Sequence, residues 1–304
     1  MFAGNPLDRA EFERRDESWL AKQIRDPQSR FLPMWRLNAP IADDAETRLA
    51  WVNGVVLDRL PISPTPRFLG LLDGVAHFAI DISDLEDPIN DLMLGGELKF
   101  EESRAAAAML VSADAGIFAQ ARSHVDWHAR HRFCSECGAD SFQHRGGQMR
   151  KCHNCTAQYF PRTDPVVIVL VYSGDSCLLG QSRGRLSHLK MFSALAGFVD
   201  QGESIEEAVR REVMEESGIR VGDVTYHSSQ PWPFPSSLMI GCHATAVSTE
   251  IRYDDVEMTE VKWFKREEVL RALAGRNDEL SLPGDIAIAH HLIRAWAEES
   301  PTVL

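Results

Sequence analysis

The chain has 304 residues, 44% hydrophobic and 25% charged, values of an ordinary globular protein with room for two or three domains and a sizeable core. Its formal net charge of −13 argues against a broad electrostatic nucleic-acid binder, because an acidic surface repels phosphates. The longest apolar run, Val166–Tyr172, is too short to span a bilayer, the amino terminus carries charges where a secretory segment needs apolar residues, and no peroxisomal tripeptide ends the chain. The cytoplasm is the expected compartment, with no membrane partner.

Along the chain, the first hundred residues mix short β-like runs (Arg67–Leu72, Val75–Ile82) with turn punctuation at Pro61, Pro64 and Pro66. No catalytic motif shows there. Ser103–His131 reads as helical: an alanine-rich run, then Ala113–Ala121, then Trp127. Residues 1–125 are expected to form an α+β amino-terminal domain.

Residues 126–160 carry two cysteine pairs, Cys134/Cys137 and Cys152/Cys155, with fourteen residues between the pairs. That is zinc-ribbon spacing, each pair suiting a tight knuckle, with Gly138 following the first. Four thiolates close a tetrahedral shell and leave no position for water, so the expected role is one structural Zn²⁺. Two disulfides or a redox pair is the competing reading, disfavoured where thiols stay reduced. Cys177 and Cys242 lie in strand-like runs and are expected to be small buried hydrophobes. Arg130, Arg132, Arg145, Arg150 and Lys151 outnumber Glu136 and Asp140 around the ribbon. They either form a local basic track for nucleic acid or merely solubilise a small knuckle.

Pro161–Pro165 leads into the third region, residues 161–304, with strands expected at Val166–Tyr172, Cys177–Gln181, Leu238–Val247 and Val261–Phe264 and a last helix at Asp285–Glu298. Between them, GFVDQGESIEEAVRREVMEESGI (Gly197–Ile219) is a glycine loop feeding a helix. With Ile205 at zero, Val209 falls at about 40°, Ala208 at about 300°, Glu212 at about 340° and Glu216 at about 20°. The carboxylates therefore continue the inward stripe, with Glu215 beside them. Three acids at i, i+3 and i+4 repel one another unless a cation neutralises them. Hard oxygen ligands of this kind suit Mg²⁺ or Mn²⁺; a solvated acidic helix is the alternative.

After the helix, Ser229–Ser237 alternates prolines with Trp232 and Phe234. Proline suppresses helix, so an extended strip is expected. Its rings either stack on a flat base or pin the loop to the core; composition alone leaves the two level.

The box residues Gly197, Glu203, Arg211, Glu212, Glu215, Glu216, Gly218 and Ile219 match G-x5-E-x7-R-E-U-x-E-E-x-G-U, with U a bulky aliphatic. In this the chain resembles the Nudix hydrolases. SQPWPFPxS soon after the box, and a ribbon before it, resemble the NADH pyrophosphatase branch; the likeness covers residues 100–300. It implies an α/β/α Nudix sandwich preceded by the ribbon and the α+β domain. It also implies hydrolysis of NADH or NAD⁺ to nicotinamide mononucleotide and AMP, removal of NAD caps from RNA to leave a 5′-monophosphate, and a homodimer.

By position the resemblance makes Glu212, Glu215, Glu216 and Glu257 ligands of two or more catalytic Mg²⁺ or Mn²⁺ ions, with Arg211 bracing them and Glu215 a candidate general base. Glu260 is a rival to Glu257. It assigns substrate contacts to Gln230, Pro231, Trp232, Pro233, Phe234, Pro235, Ser236 and Ser237, to Ala196 and Ala289, to Phe160 with adjacent Tyr159, and to Arg104. Two positions depart from the branch pattern: Phe160 stands where tyrosine is usual, and Gly147 where some members carry glutamate. Other readings are a Nudix pyrophosphatase for ADP-ribose or other dinucleotides, or an inactive zinc-ribbon nucleotide- or RNA-binding protein. No nucleophile elbow, Walker A loop or G-x-G-x-x-G fingerprint supports a serine hydrolase, P-loop NTPase or Rossmann dehydrogenase.

Overall fold

The computed structural model describes residues 2–43, 46–61, 65–94, 98–183, 191–253 and 255–299. The chain divides into two compact units, Phe2–Thr163 with Pro231–Ser236, and Asp164–Gln230 with Ser237–Leu304.

The first unit holds strands β1 (Arg30–Met34), β2 (Ala39–Asp43), β3 (Thr47–Leu49), β4 (Arg67–Leu72), β5 (Val75–Asp81) and β6 (Leu98–Glu101), with helices α1 (Glu17–Arg25), α2 (Pro88–Asp91), α3 (Ser103–Met109) and α4 (Ser112–Arg130). They form two three-stranded sheets, β1-β5-β4 and β3-β2-β6. A core of Phe31, Phe68, Phe78, Ile80 and Leu20 fills this half, and the Phe31 and Phe78 rings stack 5.2 Å apart. The expected helical stretch Ser103–His131 is two helices. Leu110 and Val111 are extended, which buries Leu110 against the unit and restarts the helix at Ser112.

The cysteine segment forms a third small sheet of β7 (Ser141–His144), β8 (Met149–Cys152) and β9 (Gln158–Tyr159). Its register pairs Phe142 with Lys151 and Lys151 with Gln158 on one face, and Gln143 with Arg150 and Arg150 with Tyr159 on the other.

The second unit is built on β10 (Asp164–Ser173), whose VVIVLV run is buried on both faces. β10 pairs in parallel with β14 (Ser237–Ala246) and antiparallel with β11 (Ser176–Ser182) and β12 (Leu195–Phe198). β13 (Val221–Trp232) and β15 (Met258–Lys265) complete the six-stranded sheet. Val167, Val169 and Val171 pack under α5 (Ile205–Ser217) through Ala208, Val209 and Val213. Ile168 and Leu170 face the opposite way, in the core built by α6 (Arg266–Leu273) and α7 (Ile288–Glu298). Helices on both faces of a mixed sheet make the α/β/α sandwich.

Three local expectations change. α7 begins at Ile288 rather than Asp285, because the backbone turns at Gly284–Ala287 before the helix starts. Ile205 is exposed, so the inward stripe of α5 runs through Ala208, Val209, Glu212, Val213 and Glu216. The proline strip is extended only to Trp232. The Phe234 amide then donates to the Trp232 carbonyl at 2.8 Å, and Pro233–Ser236 form a turn. Cys177 and Cys242 are fully buried, and burial pushes their thiols up to about 12 and about 11. No helix among the described residues is long and apolar enough to cross a membrane.

Candidate active site

α5 is defined at both ends by its own sequence. Ser204 and Glu207 form a reciprocal capping box at the start. Gly218 ends it in the left-handed region at φ 71°, where a Cβ would lie 2.6 Å from the Arg252 carbonyl oxygen. A fixed helix fixes the direction of its carboxylates.

Arg211 organises them. Its Nε and Nη2 donate to the two oxygens of Glu203 at 2.6 and 2.8 Å, a bidentate pair. Nη1 donates to Glu212 at 2.8 Å and Glu215 at 3.1 Å, and Nη2 also donates to the Phe198 carbonyl at 2.8 Å. All five guanidinium donors are thereby used. The Arg211 contact holds Glu203 down to about 2, and the same bonds raise Arg211 above its ordinary value.

β12 lies against this array. The Ala196 amide donates to Glu216 Oε2 at 3.2 Å, and a Cβ on Gly197 would overlap the Glu212 carboxyl group. Glu212 is only 13% exposed, Glu215 56%. Burial, then the Glu212 charge, pushes Glu216 up to about 8; burial also raises Glu212 against the pull of Arg211. The charge of Glu257 acts on both, whereas Glu260 pairs with Lys262. Buried carboxylates that resist ionisation, served by one arginine, are a donor set suited to a hard divalent cation.

The sites expected from sequence fall into separate groups. Glu212, Glu215, Glu216, Arg211, Ala196 and Glu257 belong to the carboxylate cluster. Gln230 and Ala289 meet instead at the start of α7: Gln230 is buried, donating to the Ile286 carbonyl at 2.8 Å and accepting from the Ile288 amide at 2.9 Å, one residue before buried Ala289. Pro231–Ser236 pack in the first unit. There Trp232 and Phe234 lie edge-on to Phe2, with centroids at 5.7 and 5.9 Å. Phe234 has Arg104 at 5.0 Å and Arg122 at 4.6 Å from its ring centre, and Arg122 donates to the Pro233 carbonyl. These contacts pin the turn. Ser237 opens β14, and Phe160 is exposed.

Three residues stand out to which no role was assigned from sequence. Glu203 was visible as a box position, but its grip on Arg211 depends on the folded loop. Arg122 lies mid-helix with no sequence signal. Phe198, next to Gly197, presents a 60% exposed ring beside the cluster, and a large aromatic at that free position was the available clue.

The four cysteine sulfurs lie within 4.8 Å of one another, the one group of three or more such donors so close among the described residues. Cys134–Cys155 and Cys137–Cys152 are each 3.5 Å apart, far beyond a disulfide and close to the edge of about 3.8 Å of a tetrahedron with 2.3 Å metal–sulfur bonds. Amides of Glu136, Asn154 and Cys155 donate to the sulfurs, and the Tyr159 hydroxyl lies 2.7 Å from Cys134 Sγ. The residues fit a tetrathiolate metal ion.

Comparison with known proteins agrees. The NUDIX domain model matches residues 162–282, and the NADH pyrophosphatase-like rudimentary NUDIX domain model matches residues 28–127. The chain is 37% identical over 347 residues to the NAD-capped RNA hydrolase NUDT12 of Homo sapiens, covering 99% of this chain and 74% of that one. It is 47% identical over 212 residues to NUDT12 of Macaca fascicularis, covering 65% of this chain but only 45% of the relative. It is 35% identical over 291 residues to the NAD-capped RNA hydrolase NudC of Mycobacterium bovis (strain BCG / Pasteur 1173P2), covering 91% of each. With its box helix, its cysteine cluster and both matched domains, the chain belongs to the Nudix hydrolase family, in its NADH pyrophosphatase branch.

Proposed function

We propose that this protein hydrolyses the pyrophosphate of NADH and NAD⁺ to nicotinamide mononucleotide and AMP, and removes NAD caps from RNA to leave a 5′-monophosphate. The observation that carries the reading is the half-buried, arginine-braced carboxylate cluster of α5, in a chain whose relatives over nearly full length are named for this chemistry.

Glu212, Glu215, Glu216 and Glu257 would hold two or more Mg²⁺ or Mn²⁺ ions, which when bound supply Lewis-acid chemistry to the pyrophosphate and acidify water. The chain's residues do the rest. Arg211 fixes Glu212 and Glu215 in direction, and the Ala196 amide fixes Glu216. Glu215, the most exposed of the three helix carboxylates, takes the proton of the attacking water. The water oxygen bonds to one phosphorus, the bridging P–O bond breaks, and the bridging oxygen leaves on the other phosphate. Phe198 offers an exposed ring beside the carboxylates. Trp232 and Phe234, with Arg104 beside Phe234, are proposed contacts to the flat groups of the dinucleotide. Gln230 and Ala289 shape the start of α7, and Pro231, Pro233, Pro235, Ser236, Ser237, Tyr159 and Phe160 complete the proposed substrate contacts.

One Zn²⁺ on Cys134, Cys137, Cys152 and Cys155 holds the ribbon. Residues 1–125, 126–160 and 161–304 act as amino-terminal, ribbon and catalytic domains of a cytoplasmic homodimer.

The test is product analysis after incubation with Mn²⁺ and, in parallel, NADH, ADP-ribose and NAD-capped RNA. Equimolar AMP and reduced nicotinamide mononucleotide from NADH, with 5′-monophosphate RNA from the capped transcript, is the expected result. Cleavage of ADP-ribose alone would leave the hydrolase chemistry and remove the substrate assignment.

A further inference from the structure

The ribbon sheet has two unlike faces. Ser141, Arg150 and Cys152 are buried, and Arg150 turns inward, its Nε donating to Ser141 Oγ at 2.8 Å. This takes Arg150 out of the basic surface expected from sequence. On the other face Phe142 pairs across the ladder with Lys151, and Lys151 with exposed Gln158. Phe160 follows Gln158 at the strand period of two, and Phe133 bridges to Asp140, which precedes Phe142 by the same period.

Three phenylalanines therefore share a solvent face, Phe133 at 64%, Phe142 at 38% and Phe160 at 59% exposure. A folded domain this small has no stability reason to expose three large rings on one side. The exposed His153 ring lies 4.5 Å from that of Phe142, and the Arg132 guanidinium lies 6.0 Å from the centre of Phe133.

Charge separates the candidate partners. The stretch from Arg130 to Arg162 carries six Lys and Arg against two carboxylates within a chain of net charge −13; Arg150 is turned inward and Arg130 pairs with Asp126, so Lys151 and Arg132 are the cations set beside the rings. The core of a protein–protein interface is depleted in lysine and closes its aromatics into one apolar patch. Here the rings alternate with Lys151, Arg132 and a histidine, against one acid, Asp140, which bridges to Phe133. Flat rings spaced among cations are what successive unpaired bases and their phosphates require.

We propose that this ribbon face binds single-stranded RNA, with Phe133 and Phe142 stacking bases and Lys151 and Arg132 neutralising phosphates. The proposal rests on the NAD-capped RNA reading above and assigns the ribbon to the RNA rather than to the dinucleotide.

The experiment uses the full chain and two variants, the double Phe133→Ala/Phe142→Ala and Lys151→Gln. Zinc content and elution volume are recorded for each. Binding of a 3′-labelled, 5′-monophosphorylated single-stranded RNA of about twelve nucleotides is followed by anisotropy at several salt concentrations. kcat and KM are measured in parallel for NADH and for NAD-capped RNA.

The double variant is expected to keep its zinc and its NADH kinetics while losing roughly tenfold or more in RNA affinity, with KM for NAD-capped RNA rising in step. Lys151→Gln is expected to reduce the salt slope of RNA binding by about one phosphate contact. Unchanged RNA affinity in zinc-loaded variants overturns the proposal. So does a change confined to elution volume, which makes the face a contact between copies of the chain. Wild-type protein that cleaves NADH, binds the RNA through these residues and leaves the NAD cap intact removes the decapping reading and keeps the binding surface.

Discussion

Gly197 and Glu212 share one small space: a methyl group on Gly197 would overlap the Glu212 carboxyl group. The glycine that opens the box is there for close approach, since its neighbour in β12, Ala196, must bring its amide to Glu216 while the strand passes over Glu212.

Gly197→Ala should therefore disturb chemistry more than folding. Displacing Glu212 by about an ångström is expected to cost roughly 100-fold in kcat. Steady-state kinetics against thermal unfolding checks it: a large loss of kcat with a modest loss of Tm is predicted.

Arg211→Lys keeps the charge and loses the fork. One ammonium cannot replace five planar donors to Glu203, Glu212, Glu215 and Phe198. A fall in kcat of at least about tenfold at saturating Mn²⁺ is expected, with smaller change in KM; kinetics equal to the parent would show that bracing is dispensable.

The same contact has a pH signature. Arg211 holds Glu203 near 2, below its ordinary 4.5, so the folded state binds fewer protons than the unfolded between those values. The stabilisation is fully present above pH 4.5 and is lost as pH falls towards 2. The stability gap between parent and Arg211→Met, read from urea midpoints, should narrow across that window.

Much of this was legible in the chain. The β10 run is apolar without interruption because both faces are covered, and the carboxylates of α5 declare themselves by angle. β13 does not, because it is half exposed and polar, so neither hydrophobic period survives in it. Nor does the break at Leu110–Val111, since an alanine-rich run favours helix throughout and only the burial of Leu110 decides against it. Glu257 and Glu260 are equivalent in composition. The fold distinguishes them by pairing Glu260 with Lys262 while the Glu257 charge reaches Glu212 and Glu216. The proline strip was balanced between platform and pin because the Phe2, Arg104 and Arg122 contacts come from residues more than a hundred positions away.

His124 and His128 make the first unit acid-sensitive. Burial, with the Arg67 charge, pushes both down to about 3. They fold neutral, while the unfolded chain takes up their protons below about 6.5, so stability falls as pH drops from 6.5 towards 3. Each contributes up to about 1.4 kcal/mol per pH unit in that window. Replacing His124 with glutamine should flatten the decline of unfolding free energy between pH 7 and pH 5.

Gln230 holds the start of α7 through two bonds, a part-buried one to the Ile286 carbonyl and a buried one from the Ile288 amide. Gln230→Ala leaves both groups unsatisfied, and about 1–3 kcal/mol of stability should be lost for each that water cannot reach. Denaturant unfolding measures it; a shift below about 0.5 kcal/mol would be the size of an ordinary surface change and would show that the helix start is held by other contacts.

The most direct measurement is the mass of the products when the protein cleaves NADH in ¹⁸O-water with Mn²⁺. AMP and reduced nicotinamide mononucleotide in equal amounts are expected, with one ¹⁸O on the phosphate of one product, and no turnover by Glu216→Gln. Release of free nicotinamide with ADP-ribose, or undiminished turnover by Glu216→Gln, would contradict the proposed function.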